Sequence, residues 1–114
     1  MNRDTQLNEL SVALSRLVEI LSLDQSCQWR SSFVEWLNDV NALRESGFEQ
    51  PDLNALSSSV MSVFGGMGSF NDYSPSIYNP DTGRYVAIPG TDDFQNVTSR
   101  VFDLALSLRV VGEY

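Results

Sequence analysis

The sequence predicts a mainly α (α+β) fold, with four amphipathic helices and a small β-hairpin between the third and fourth. Three observations carry this expectation. Apolar residues recur at helical spacing in four separate stretches, and two short β-rich runs flank the turn-forming segment Asn79-Pro80-Asp81-Thr82-Gly83. The 114 residues, 42% of them hydrophobic, suffice for one core, so residues 1–114 are expected to form a single globular domain.

Leu7, Leu10, Leu14, Leu17, Val18 and Leu21 place a first helix at about residues 5–22, with Asp4 or Thr5 as its cap. After the polar break Asp24-Gln25-Ser26, the residues Trp29, Phe33, Trp36, Leu37, Val40 and Leu43 mark a second helix over 27–46. Gly47 suits the left-handed position just past its end. Pro51 is tolerated in a first helical turn, so a third helix is expected over 52–64, its stripe being Leu53, Leu56, Val60, Met61 and Phe64. A glycine loop over 65–72 stops the periodicity, and a hairpin follows over 76–88. Thr91 can cap a last helix over 92–111, with Asp92 and Asp93 favourable in its first turn. Phe94, Val97, Val101, Leu104, Ala105 and Leu108 form its buried stripe. A lone hairpin is marginal in water, so this one is expected to pack against the helices. Trp29, Phe33, Trp36, Val40, Val60, Phe64, Val101 and Leu104 are expected to meet in one core.

Composition narrows the chemistry. Fifteen acids against seven bases, all arginine, give a net charge of −8, which repels phosphate backbones and argues against nucleic acid as a partner. Histidine and lysine are absent, so the commonest general base and the Schiff-base amine are missing. The single Cys27 has Asp24 near it in sequence, and a carboxylate raises a thiol pKa instead of activating it. One cysteine without histidine argues against zinc, and neither cofactor nor metal is expected. No apolar run reaches membrane-span length, and Met1-Asn2-Arg3-Asp4-Thr5-Gln6 lacks a secretory layout. The expectation is a cytoplasmic, non-enzymatic domain.

Glu35 and Asp39, four residues apart, share one helical face, which Asn38 and Glu45 extend. That face is either simply solvated or a docking surface for a basic protein. Tyr73 and Tyr78, with Tyr85, lie near the loop and hairpin, where a tyrosine is either an efficient interface residue or a cap on the core with a wet hydroxyl. The loop itself, Gly65-Gly66-Met67-Gly68-Ser69 followed by Phe70-Asn71-Asp72, matches neither G-x-G-x-x-G nor the lysine-bearing phosphate loop. A structural loop is expected, anchored by Phe64 and Phe70. Asn71 or Asp72 would bond to turning backbone, and at least one glycine would have positive φ. An exposed binding loop is the other reading.

The run from Phe64 to Asp72 resembles the FGGMGSxND signature of a family of small, functionally uncharacterised bacterial proteins. The resemblance extends over most of residues 7 to 111, through a Trp-bearing helix, a helix ending in the signature and a C-terminal amphipathic helix. Tyr73-Ser74-Pro75-Ser76 stands where members place aliphatic residues. By analogy, such proteins resemble the immunity proteins that neutralise secreted bacterial toxins. The expected function is therefore protein binding, in the form of an immunity-type inhibitor that occludes a basic surface or active cleft. The alternatives are a small enzyme or ligand sensor using the glycine loop with Asp92 or Asp93, or a structural adaptor.

Overall fold

The computed structural model describes residues 2–65 and 69–109. Four helices, α1 (Arg3–Ser22), α2 (Arg30–Ser46), α3 (Gln50–Met61) and α4 (Phe94–Ser107), surround the core. Between α3 and α4 lie a 3-10 turn, Phe70–Asp72, and an antiparallel hairpin of β1 (Ser76–Asn79) and β2 (Arg84–Ala87). The expected four helices with a hairpin between the third and fourth are therefore present.

Helix α1 is the spine, packing on both α2 and α4, while α3 packs on α4 and α2. Leu7, Leu10, Leu14, Leu17, Ile20 and Leu21 are all buried along it. Val18, expected in the stripe, is only partly buried, and Ile20, outside it, is fully buried. The helix starts at Arg3, two residues earlier than expected. The Asn2 side chain, not Asp4 or Thr5, is the cap, accepting the Thr5 N–H at 2.8 Å.

The second helix begins at Arg30, three residues later than expected. The Asp24 carboxylate accepts the Ser26 amide at 3.0 Å and the Cys27 amide bonds to the Asp24 carbonyl at 3.1 Å, which holds this stretch in a turn. At its far end Gly47 has φ +89° and ψ 169°, a mirror-extended conformation in place of the expected left-handed one. Helix α3 starts earlier than expected because Glu49 is its cap and donates its own N–H to the Asp52 carboxylate at 2.9 Å. It also ends earlier, since Val63 and Phe64 bond back only three residues, to Val60 and Met61.

Helix α4 starts at Phe94 with Asp93 at its cap position. Thr91 does not cap it with its side chain: that hydroxyl is buried and donates to the Ile88 carbonyl at 2.6 Å. Asp93 serves Arg16, which grips it with two bonds of 2.9 and 2.8 Å. The carbonyls at the far end of α4 are met by Arg3, which bonds Ser107 at 2.7 Å, and by Gln50, which bonds Leu108 at 2.8 Å. Expected positions 110 and 111 of this helix lie outside the described residues.

The expected core is corrected in its aromatic part. Phe33, Val40, Val60, Val101 and Leu104 are buried, but Trp29, Trp36 and Phe64 are half-buried at its edge. The centre is Phe70, 1% exposed, whose ring contacts those of Trp29, Phe33, Phe64, Tyr73 and Phe94. Each such edge or offset contact adds about 0.5–1.5 kcal/mol beyond area burial.

Candidate functional site

The hairpin does not pack on the helices as its composition predicted. Among the described residues, strands β1 and β2 contact each other and no helix. The exposures are 56% for Ile77, 51% for Tyr78, 72% for Tyr85 and 43% for Val86. Ile77 pairs with Val86, and Tyr78 with Tyr85, so each face of the ribbon carries one large pair. The two tyrosine rings meet edge to face at 5.3 Å. The turn is self-sufficient. Asn79 accepts the Asp81 amide through its side chain at 2.9 Å and the Gly83 amide through its carbonyl at 2.9 Å, and Gly83 takes φ +68°.

Between the hairpin and the α1–α2 turn lies a cleft. It consists of two adjoining hollows of about 400 and 480 Å³ that share Asp24, Ser26, Ser76 and Tyr85. Trp29, Tyr73 and Asp72 line one hollow, and Leu23, Ile77 and Ile88 line the other. Asp24 organises one wall. One carboxylate oxygen accepts the Ser26 amide and, at 2.7 Å, the Ser26 hydroxyl, while the other accepts the Tyr73 hydroxyl at 2.7 Å. Burial raises its pKa, but these bonds together outweigh burial and hold the carboxyl below the usual carboxylate range. Burial first, and then the bond to Asp24, push the Tyr73 phenol well above its ordinary value.

The glycine loop closes on itself. The Gly65 carbonyl accepts both the Ser69 hydroxyl and the Asn71 side-chain amide at 3.0 Å, and Phe70 N–H bonds to the Val63 carbonyl at 2.9 Å. Gly65 lacks the positive φ expected of at least one loop glycine, and a Cβ there would meet nothing within 4 Å. Gly66, Met67 and Gly68 lie outside the described residues. Asp72 is exposed and borders the cleft.

Glu35, Asn38, Asp39 and Glu45 are all exposed on α2. Asp39 also borders a shallow groove of about 290 Å³ between α2 and α3, opposite Asp52. The face is distinct from the cleft, whose lining includes none of these four residues. Tyr73 lines the cleft, but its ring is stacked on Phe70 and its hydroxyl is engaged by Asp24. Tyr78 is on the hairpin side of the cleft.

A third hollow, about 430 Å³ between α1 and α4, has Val12, Ala13 and Val97 among its lining. Its two arginines are already paired, Arg16 with Asp93 and Arg100 with Glu9 at 3.1 Å. The sequence analysis places Asp24 in a polar break and beside Cys27, not in a site; the Asp-x-Ser spacing of a side-chain-closed turn was the available signal. Among the described residues, no helix is long and apolar enough to cross a membrane.

A family model described as a domain of unknown function (DUF6966) matches residues 22–82, a little over half of the chain. The match takes in the α1–α2 turn, α2, α3, the glycine loop and most of the hairpin turn. No curated protein and no solved structure matches the chain.

Proposed function

The chain belongs to the family of domains of unknown function DUF6966, and on that premise we propose that it is a non-enzymatic domain that binds a basic protein. Its specific form is a cytoplasmic immunity-type inhibitor, which neutralises a bacterial toxin by covering a basic surface or active cleft. The observation behind this reading is the hairpin, whose exposed Ile77, Tyr78, Tyr85 and Val86 are buried by no helix among the described residues. Two-stranded ribbons are marginal alone, and exposed tyrosines suit protein interfaces. A partner would supply the burial that the helices do not.

The net charge of −8 sets the sign of that partner. Complementary charge chiefly speeds association and excludes wrong partners. The exposed Glu35, Asp39 and Glu45 on α2 add to the same field. A ligand-sensing or enzymatic role for the glycine loop has less support, because Ser69 and Asn71 spend side-chain donors on the Gly65 carbonyl.

The test is to look for a toxin-like domain in the adjacent gene and to co-purify the chain with that gene's product, followed by a growth-protection assay. The expected result is a complex that weakens as salt rises, and rescue of cells producing that toxin. Absence of any complex at low salt, with no rescue, would overturn the proposal.

A further inference from the structure

We infer that the cleft between the hairpin and the α1–α2 turn is a subsite for one cationic side chain, arginine or lysine, carried by an extended basic segment of a protein partner. The subsite presupposes the protein-binding reading above and assigns it a recognition chemistry.

The cleft sets aromatic side chains beside the Asp24 carboxylate, which no arginine holds. Trp29, Tyr73 and Tyr85 line it together with Asp24 and Asp72, and no arginine is among its described lining residues. All the donors to Asp24 are neutral: the Ser26 amide, the Ser26 hydroxyl and the Tyr73 hydroxyl. Its charge is therefore balanced by no cation. Those three bonds occupy three of the roughly four acceptor positions of a carboxylate, leaving room for one further N–H donor. The contrast with the α1–α4 hollow is plain, because both arginines there already hold carboxylates.

A cation over an aromatic face is drawn by the ring quadrupole, and a carboxylate beside it adds a charge-assisted hydrogen bond. An anion is repelled by Asp24 and Asp72, and an uncharged ligand gains neither term. A hard metal ion would need six or more oxygen ligands, more than the two carboxylates of the cleft supply. Tyr85 belongs to both hollows, so the hairpin forms a wall of the subsite as well as an apolar flank for the chain that carries the cation.

The test uses the full chain with N-acetyl-arginine amide as probe and N-acetyl-citrulline amide as its uncharged isostere. Amide NMR shifts are titrated at low salt. The arginine probe is expected to saturate shifts at Ser26, Ser76 and Tyr85 with a millimolar dissociation constant, fitting so small a ligand. The citrulline probe should bind at least about fivefold more weakly. Tyr85→Ala, removing a ring that stands 72% exposed, should keep the melting temperature and weaken the arginine probe at least about threefold. Equal binding of the two probes, or shifts confined to the Glu35 and Asp39 face, would overturn the subsite. A partner complex as tight with Tyr85→Ala as with the wild type would overturn it too, leaving the protein-binding reading intact. Probe binding without any partner complex would overturn that reading and leave the cation subsite standing.

Discussion

The Tyr73 hydroxyl donates to the Asp24 carboxylate across 2.7 Å, linking residues 49 apart in the chain. The bond closes the aromatic cluster on the cleft side. It joins the turn that leaves α1 to the segment that leaves the 3-10 turn, and the Tyr73 ring stacks on Phe70 beneath it, the planes inclined by 15°. One side chain thus fixes a wall of the cleft and covers the centre of the core.

Tyr73→Phe keeps the ring and removes the donor. A hydrogen bond to a charged group contributes about 1.5–3 kcal/mol when shielded, and partial exposure brings this one to about 1 kcal/mol. Urea denaturation should show that loss. An unchanged midpoint would mean that water replaces the hydroxyl at no cost.

The same pair gives the fold a pH profile at both ends. Asp24 and Asp93 have lowered pKa values; for Asp93 the chief cause is the bond from Arg16. Their stabilisation is complete above the unfolded value of about 3.9 and is lost as pH falls through the lower folded values. Tyr73 is raised, so its contribution is complete below about pH 10 and is lost as pH rises through the folded value. Chemical denaturation from acid to alkali should show a plateau flanked by two declining limbs. Asp24→Asn with Asp93→Asn should flatten the acid limb, and an acid limb unchanged in that double variant would refute the assignment.

Phe70→Ala should cost about 3–5 kcal/mol, enough to threaten a domain of ordinary stability. Trp36→Ala should cost less, about 1–3 kcal/mol, because Trp36 is half-buried and sits at the rim beside Phe33. Thermal or urea melts rank the two. A larger loss for Trp36 would put the centre of the core where the helical periodicity first placed it.

That ranking shows where sequence reading succeeds. The stripes of α1 and α4 are local patterns of period 3.6, so Leu7 through Leu21 and Val101 through Leu104 could be read directly. Phe70 could not be ranked in this way, since it lies in no periodic element and its ring partners come from four different stretches. The detached hairpin escaped for a related reason. Ile77, Tyr78, Tyr85 and Val86 have the composition of a half-buried strand pair, and composition does not reveal whether a helix lies opposite. The cleft depends on Asp24 meeting Tyr73, a tertiary pairing with no local signature; only the turn at Asp24 had one.

Gly65→Ala should change stability by no more than about 0.5 kcal/mol, because its φ is not positive and a Cβ meets nothing within 4 Å. Gly47→Ala has equal space but sits at φ +89°, so strain alone should cost about 1–2 kcal/mol. Comparing the two melting temperatures separates conformation from crowding. Equal losses would show that the loop needs its first glycine for something other than backbone geometry.

Ile77→Ser combined with Val86→Ser tests what the hairpin is for. The two residues pair across the strands, and both are exposed. If they serve no internal packing, the double variant should keep its stability to within about 0.5 kcal/mol, as exposed substitutions usually do. Partner affinity should fall by about tenfold or more, corresponding to about 1.4 kcal/mol of lost apolar contact. Melting temperature and complex formation must be measured on the same preparation, because unfolding would also abolish binding. A stable variant that binds its partner as well as the wild type would free the hairpin from any role in recognition. The docking surface would then have to be sought on the acidic face of α2.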